Sequence, residues 1–212
     1  MKIDKILVAR LCCIGDIVHS IPMIKTIKKN NPNAEITYIV TNWCRQIVEM
    51  VPEVDKFIIF DAPYQKISVL SKMYFAFLLW LKIISERYSI GINLHRSAFF
   101  GIIFFFAGIK KRIGFGDSPF LNHKIKYDDS FHESKKFLAL LSPLDYKQIV
   151  ELPSITADEK TIESAKNILI RNGITKDDLL IGIYADGGRN PGQVMEIRQL
   201  GSEKYVEFIQ SA

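Results

Sequence analysis

The sequence predicts an α/β protein built on a parallel, Rossmann-like sheet. Three observations carry this reading. Short apolar runs alternate with longer helical stretches. No close hairpin signal joins two apolar runs. The opening run, Lys5–Arg10, is almost continuously apolar, as a strand covered on both faces must be. Right-handed crossovers then put helices on both faces of the sheet.

Lys5–Arg10 is the first predicted strand. Asp16–Asn30 is the first helix, with Ile17, Ile21, Ile24 and Ile27 at helical spacing. Pro22 falls past the first turn, so a kink or a late start is expected there. Asn30-Asn31-Pro32-Asn33 is a stop signal. Glu35–Val40 and Lys56–Phe60 follow as strands, with a short helix over Trp43–Met50 between them. Ser68–Glu86 reads as a long helix with a broad apolar face, Tyr88–Leu94 as the fourth strand, Ser97–Ala107 as a buried helix and Arg112–Phe115 as a short fifth strand. Asp117–Phe131 lacks periodicity and reads as a polar loop, of a length more often functional than incidental.

Glu133–Leu141 and Asp158–Asn172 read as helices, the second stopped by Asn172-Gly173. A strand over Leu179–Ala185, a loop over Asp186–Gln193 and a helix over Ser202–Gln210 look like the start of a second α/β unit. The expected division is residues 1–175 and 176–212. A lone strand cannot bury both faces, so the one at Leu179 needs either the first sheet or further partners. The last helix carries no Gly or Pro stop, and a truncated second domain is expected.

Bulk properties narrow the function. An apolar fraction of 48% supports a packed core and argues against disorder. The net charge of +5 suits a phosphate-bearing substrate or an anionic membrane surface, and no block of like charge marks a nucleic-acid tail. Cys12, Cys13 and Cys44 are odd in number and lack framework spacing, which points to reduced thiols. Adjacent cysteines are poor partners for one tetrahedral ion, so no metal site is expected. Met1–Lys5 runs straight into a strand, and the Ala98–Ile109 run is shorter than the about 20 residues a bilayer needs. A cytoplasmic protein is expected.

Candidate site residues cluster after the first strand. Asp16 at the mouth of a helix is either a helix cap or a general base that takes a proton from a sugar hydroxyl. The positive helix end stabilises a carboxylate, so position rather than basicity would supply the rate. Gly15 serves a tight turn or lets a ligand approach the backbone. His19 shares a helix face with Asp16 and is either packed or a substrate contact. Arg96, after Asn93-Leu94-His95, is a solvated surface cation or holds an acceptor phosphate or carboxylate at the crevice Asp16 faces. Gly187, Gly188, Arg189 and Asn190 form an ordinary turn or an anion-binding loop, to which Arg198 would add a phosphate contact. The helix around Met73–Ile84 is apolar almost all round, which favours core, with shallow membrane docking between Lys72 and Lys82 as the alternative.

Several blocks resemble the family 9 glycosyltransferases, the ADP-heptose:lipopolysaccharide heptosyltransferases. They are Gly15-Asp16-Ile17-Val18-His19-Ser20-Ile21-Pro22 with the strand before it, Ile90–Ser97, Lys111-Arg112-Ile113-Gly114-Phe115, His132-Glu133 with the helix after it, and Ile181–Phe208. The resemblance implies a GT-B architecture, two Rossmann-like domains facing across a cleft, of which this chain holds the N-terminal acceptor domain and the start of the donor domain. It implies an inverting transfer of heptose from ADP-heptose to a lipid-linked lipopolysaccharide core, with no cofactor and no metal ion, at the inner face of the inner membrane. Asp16 then takes the base role, and Gly187, Gly188 and Arg198 face the donor phosphates. One departure concerns the donor loop. Arg198, Leu200 and Gly201 stand where the family carries a lysine and a Trp-Pro pair.

Two rival classes stay open. The chain is alternatively a non-catalytic α/β module that holds a glycan or a partner. A dinucleotide oxidoreductase is the weaker rival, because Leu11-Cys12-Cys13-Ile14-Gly15 stands where the Gly-rich fingerprint would be.

Overall fold

The computed structural model describes residues 4–149, 152–184, 189–190, 193–194 and 201–211. They fall into two compact units, Met1–Ile155 and Thr156–Ala212. The division lies at Ile155 rather than between residues 175 and 176, so the helix after Asp158 belongs to the second unit.

The first unit is a six-stranded, all-parallel sheet. Its strands are β1 (Lys5–Ala9), β2 (Glu35–Val40), β3 (Lys56–Ile59), β4 (Ile90–Asn93), β5 (Lys111–Phe115) and β6 (His123–Ile125), in the order β3-β2-β1-β4-β5-β6. This is the Rossmann order, in which the chain reverses direction across the sheet between β1 and β4. Successive residues of β1 point to opposite faces, which separates two apolar layers. Ile6 and Val8, with Tyr38 and Ile92, pack under α1 (Ile14–Asn30) and α5 (Glu133–Ala139). Leu7 and Ala9, with Ile39, pack under α3 (Val69–Glu86) and α4 (Phe99–Phe106). α2 (Arg45–Glu49) follows a 3-10 turn at Asn42–Cys44.

Three features differ from the sequence reading. α1 starts at Ile14, two residues before Asp16, and runs unbroken through Pro22. Pro22 removes one helical hydrogen bond. Ser20 pins that same turn to β2, bonding Ile17 O at 2.7 Å and the Tyr38 hydroxyl at 3.0 Å. Within the polar loop after Gly116 lies β6, an edge strand of three residues with polar His123 and Lys124, too short and too polar to show a strand period. It is held by Asn122, whose Oδ1 accepts from Arg112 N at 2.8 Å. The Ser97–Ala107 stretch becomes a helix only from Phe99, buried along Phe100 and Phe104 but exposed at Phe105 and Phe106.

The second unit contains α6 (Glu159–Arg171), β7 (Arg189–Asn190), β8 (Gln193–Val194) and α7 (Ser202–Ser211). Asp158 caps α6 by accepting from Thr161 N at 2.7 Å. The strand expected over Leu179–Ala185 does not form in its described residues, 179–184. Their apolar side chains are exposed. An apolar run becomes a strand only when a neighbour completes its ladder, and these residues have none among the described ones. No described helix is long and apolar enough to cross a membrane.

Candidate active site

Ligands of open α/β sheets bind at the carboxyl ends of the strands where the chain direction switches. Here that place is the gap between the ends of β1 and β4. The segment leaving β1 is clamped from both sides. Leu11 N donates to His95 Nε2 at 3.0 Å, from beyond β4. Leu11 O accepts from Thr41, beyond β2, through its hydroxyl at 2.6 Å and its N–H at 2.9 Å. Asn93 is fully buried and orients the other side, its Oδ1 accepting from His95 N and its amide donating to Ser97 O, each at 3.0 Å.

Because His95 Nε2 accepts, the ring must be neutral. Burial and then the nearby Arg10 charge push its pKa from 6.5 down to about 3. As pH falls below 6.5 the unfolded chain takes up a proton that the folded one refuses, so His95 removes stability progressively from pH 6.5 down to about 3. His95→Gln keeps an acceptor without the titration. The urea midpoint of the wild type is expected to drop more between pH 7 and pH 5 than that of the variant; parallel drops would show that His95 is not buried neutral.

Asp16 is not the helix cap. Cys13 occupies that position, with φ 74°, and its carbonyl accepts from Asp16 N at 2.9 Å. Asp16 therefore sits in the first turn with its side chain free for another partner, and that partner is Arg10. The guanidinium also donates to Leu94 O at 3.1 Å. Burial alone would lower the Arg10 pKa, but the Asp16 carboxylate more than offsets it and the net direction is up. The other Asp16 oxygen takes no hydrogen bond among the described residues.

Gly15 lacks a positive φ, and a Cβ added there would meet no atom within 4 Å. No left-handed turn requires the glycine there, and the space beside it is open. His19, one turn on, has Nδ1 3.3 Å from Ser134 Oγ, and its ring meets His132 edge-on at 4.6 Å. It is packed between α1 and the start of α5. Arg96 lies 4.9 Å over the Tyr127 ring. The Tyr127 hydroxyl donates to Glu133 at 2.7 Å, and the buried Lys136 ammonium donates to the same carboxylate at 2.7 Å. The Arg96 charge thus stands on a braced aromatic platform.

A cavity of about 410 Å³ opens on the other side of the clamp, lined by Leu11, Tyr64, Lys72, His95, Ser97 and Phe99 among others. Asp16 does not line it. Gly187, Gly188 and Arg198 lie outside the described residues. Arg189 and Asn190 are described as backbone, pairing antiparallel with β8. No group of three or more potential metal ligands occurs among the described residues.

Comparison with solved structures defines the class first. The sheet order is that of a Rossmann-like α/β unit of GT-B type. Within that class the chain has the fold of the family 9 glycosyltransferases. It is similar to a glycosyl transferase family 9 protein from Veillonella parvula, with a TM-score of 0.77 at 20% identity over 98% of this chain and 60% of that one. It is also similar to E. coli ADP-heptose lps heptosyltransferase II (TM-score 0.63, 21% identity, 82% of this chain and 52% of that one). For E. coli heptosyltransferase WaaC with ADP-2-deoxy-2-fluoro heptose the TM-score is 0.57 at 12% identity, over 71% of this chain and 51% of that one. The chain thus spans about 60% of the length of the first of these proteins. No family model and no curated protein sequence matches it.

Proposed function

We propose that this chain is the acceptor-side part of an inverting glycosyltransferase that moves heptose from ADP-heptose to a lipopolysaccharide core acceptor. One observation carries the reading: a carboxylate, Asp16, stands at the β1/β4 switch point of a fold shared with solved heptosyltransferases. In this mechanism Asp16 accepts the proton of an acceptor hydroxyl as its oxygen attacks the anomeric carbon and the ADP diphosphate leaves. Arg10 fixes the carboxylate and must yield part of its contact as the proton arrives. Gly15 leaves room for the sugar, Arg96 supplies charge for an acceptor phosphate or carboxylate, and His19 supports α1. The residues around Gly187, Gly188, Arg189 and Asn190, with Arg198, take the donor phosphates. The chemistry needs no cofactor. The test is ADP release from ADP-heptose in the presence of a core acceptor, with calorimetry for ADP. Absence of both release and ADP binding would favour a binding module instead.

The acceptor's lipid places the reaction at a membrane, and α3 offers a surface for it. Leu70, Met73, Tyr74, Phe77, Leu78, Leu81 and Ile84 are all exposed on one side of the helix, Leu70 at 77% and Phe77 at 51%. The opposite stripe, with Leu79 and Ile83, is buried on the sheet. Lys66 and Lys82 flank the stripe, and no acidic residue occurs from Lys66 to Lys82. Apolar, aromatic and cationic groups in this order suit the cytoplasmic face of an anionic bilayer. Anionic vesicles are expected to bind the protein, neutral ones less, and Leu70→Glu with Phe77→Glu should weaken binding about tenfold or more. Equal binding by wild type and double variant would remove α3 from the contact.

A further inference from the structure

The exit of β1 carries two thiols that the transfer chemistry does not use. The Sγ atoms of Cys12 and Cys13 lie 3.3 Å apart, and both residues are partly exposed. The Tyr64 hydroxyl donates to Cys12 Sγ at 2.8 Å, and Tyr64 also lines the neighbouring cavity. The third thiol, Cys44, is buried. We propose that Cys12 and Cys13 form an oxidisable dithiol, a modification site for hydrogen peroxide at the rim of the Asp16 crevice, with Cys12 the attacking sulfur and Cys13 the resolving one.

Thiolate character and access decide which thiol reacts. The Cys13 thiol, the Tyr64 hydroxyl and the Arg10 charge all favour the Cys12 thiolate against its burial, and lower its pKa to about 6. Burial pushes Cys44 the other way. In the first step the Cys12 thiolate attacks one peroxide oxygen and the O–O bond breaks. Cys12 becomes a sulfenic acid, and the departing hydroxide takes a proton to leave as water. In the second step Cys13 sulfur attacks Cys12 sulfur and the S–O bond breaks. The hydroxide released combines with the Cys13 proton as a second water. Two thiols are oxidised by two electrons, and one peroxide is reduced to two waters.

The resulting bond would be strained. Neighbouring Cα atoms are about 3.8 Å apart, shorter than the roughly 4.4–6.8 Å usual across a disulfide. Cys13 is already the cap of α1 at φ 74°, so the strain falls on the turn that holds Asp16. Strained disulfides are readily reduced, which makes the modification reversible.

The test treats the full chain with hydrogen peroxide and reads its intact mass and peptide map, with no assay of transfer. Loss of two hydrogens is expected within one chain, mapped to the Cys12–Cys13 peptide and restored by dithiothreitol. Cys13→Ser should stop at the Cys12 sulfenic acid, which dimedone traps. Cys12→Ser should slow oxidation about tenfold or more. The proposal is overturned if Cys44 is modified first, if Cys12→Ser reacts at the wild-type rate, or if the wild type accumulates oxidised Cys12 beside a free Cys13 thiol.

Discussion

Replacing Asp16 by Asn is expected to lower sugar transfer about a hundred- to ten-thousandfold, the range a positioned general base supplies. The amide still accepts a hydrogen bond from Arg10 but cannot take a proton, so this variant separates chemistry from architecture. Asp16→Ala would confuse the two. The Arg10 side chain is only 19% exposed, and removing its partner leaves a largely buried charge unpaired, at a cost on the order of 2 kcal/mol in stability. The measurement is kcat and KM for ADP release together with the urea midpoint. The expected pattern is a collapsed kcat, a KM for donor close to wild type and a smaller loss of stability than in Asp16→Ala, because the amide keeps the hydrogen bond to Arg10 but not the opposite charge. Wild-type turnover in Asp16→Asn would end the base assignment and leave Asp16 as the electrostatic partner of Arg10.

Phe104→Ala is expected to cost about 3–5 kcal/mol of stability, as large aromatic truncations in cores do. The ring is fully buried and packs flat on β4 at Gly91, where a Cβ would come within 2.7 Å of Phe104 Cδ2. That close approach is possible only because residue 91 is glycine, and the same fit prevents the surroundings from collapsing into the space left by the ring. Phe106, two residues away, is 61% exposed, and its truncation should change stability by no more than about 0.5 kcal/mol. Urea unfolding of the two variants, with equal slopes and separated midpoints, checks the prediction. Equal midpoints would mean that α4 does not pack as described.

Much of the fold was legible because the parallel strands are near-continuous apolar runs and α1 has a clean helical period. The two-residue error at the start of α1 arose because Asp16 looks like a cap, while Cys13 adopts a left-handed conformation that no cap preference announces. β6 was hidden because an edge strand with His123 and Lys124 has no apolar face to show. The Leu179 run misled in the opposite sense: composition signals a strand, but only a neighbouring ladder creates one.

Around the candidate site, the sequence singles out Asp16 and Gly15 at the exit of β1, but it shows Arg10 only as the last residue of a strand. Its pairing with Asp16 across one turn was the available signal, an acid and a base bracketing the β1 exit. His95 belonged to a recognised block, yet its bond to Leu11 joins residues 84 positions apart and follows only from β1 lying beside β4. Tyr127 and Lys136 form the platform under Arg96 through β6 and α5, and local sequence does not reveal that juxtaposition.

The clamp on Leu11 also sets an order of events during synthesis. β1 leaves the ribosome well before β4, one of its two neighbours, which completes at Asn93, and the clamp itself waits for His95. Until then the middle strand of the sheet has one open edge, and the backbone at the future crevice is held only from the Thr41 side. The β1 exit is therefore made well before it can reach its working shape. A nascent chain is vulnerable at this edge for as long as the α3 segment is being made, because unpaired strand edges promote aggregation.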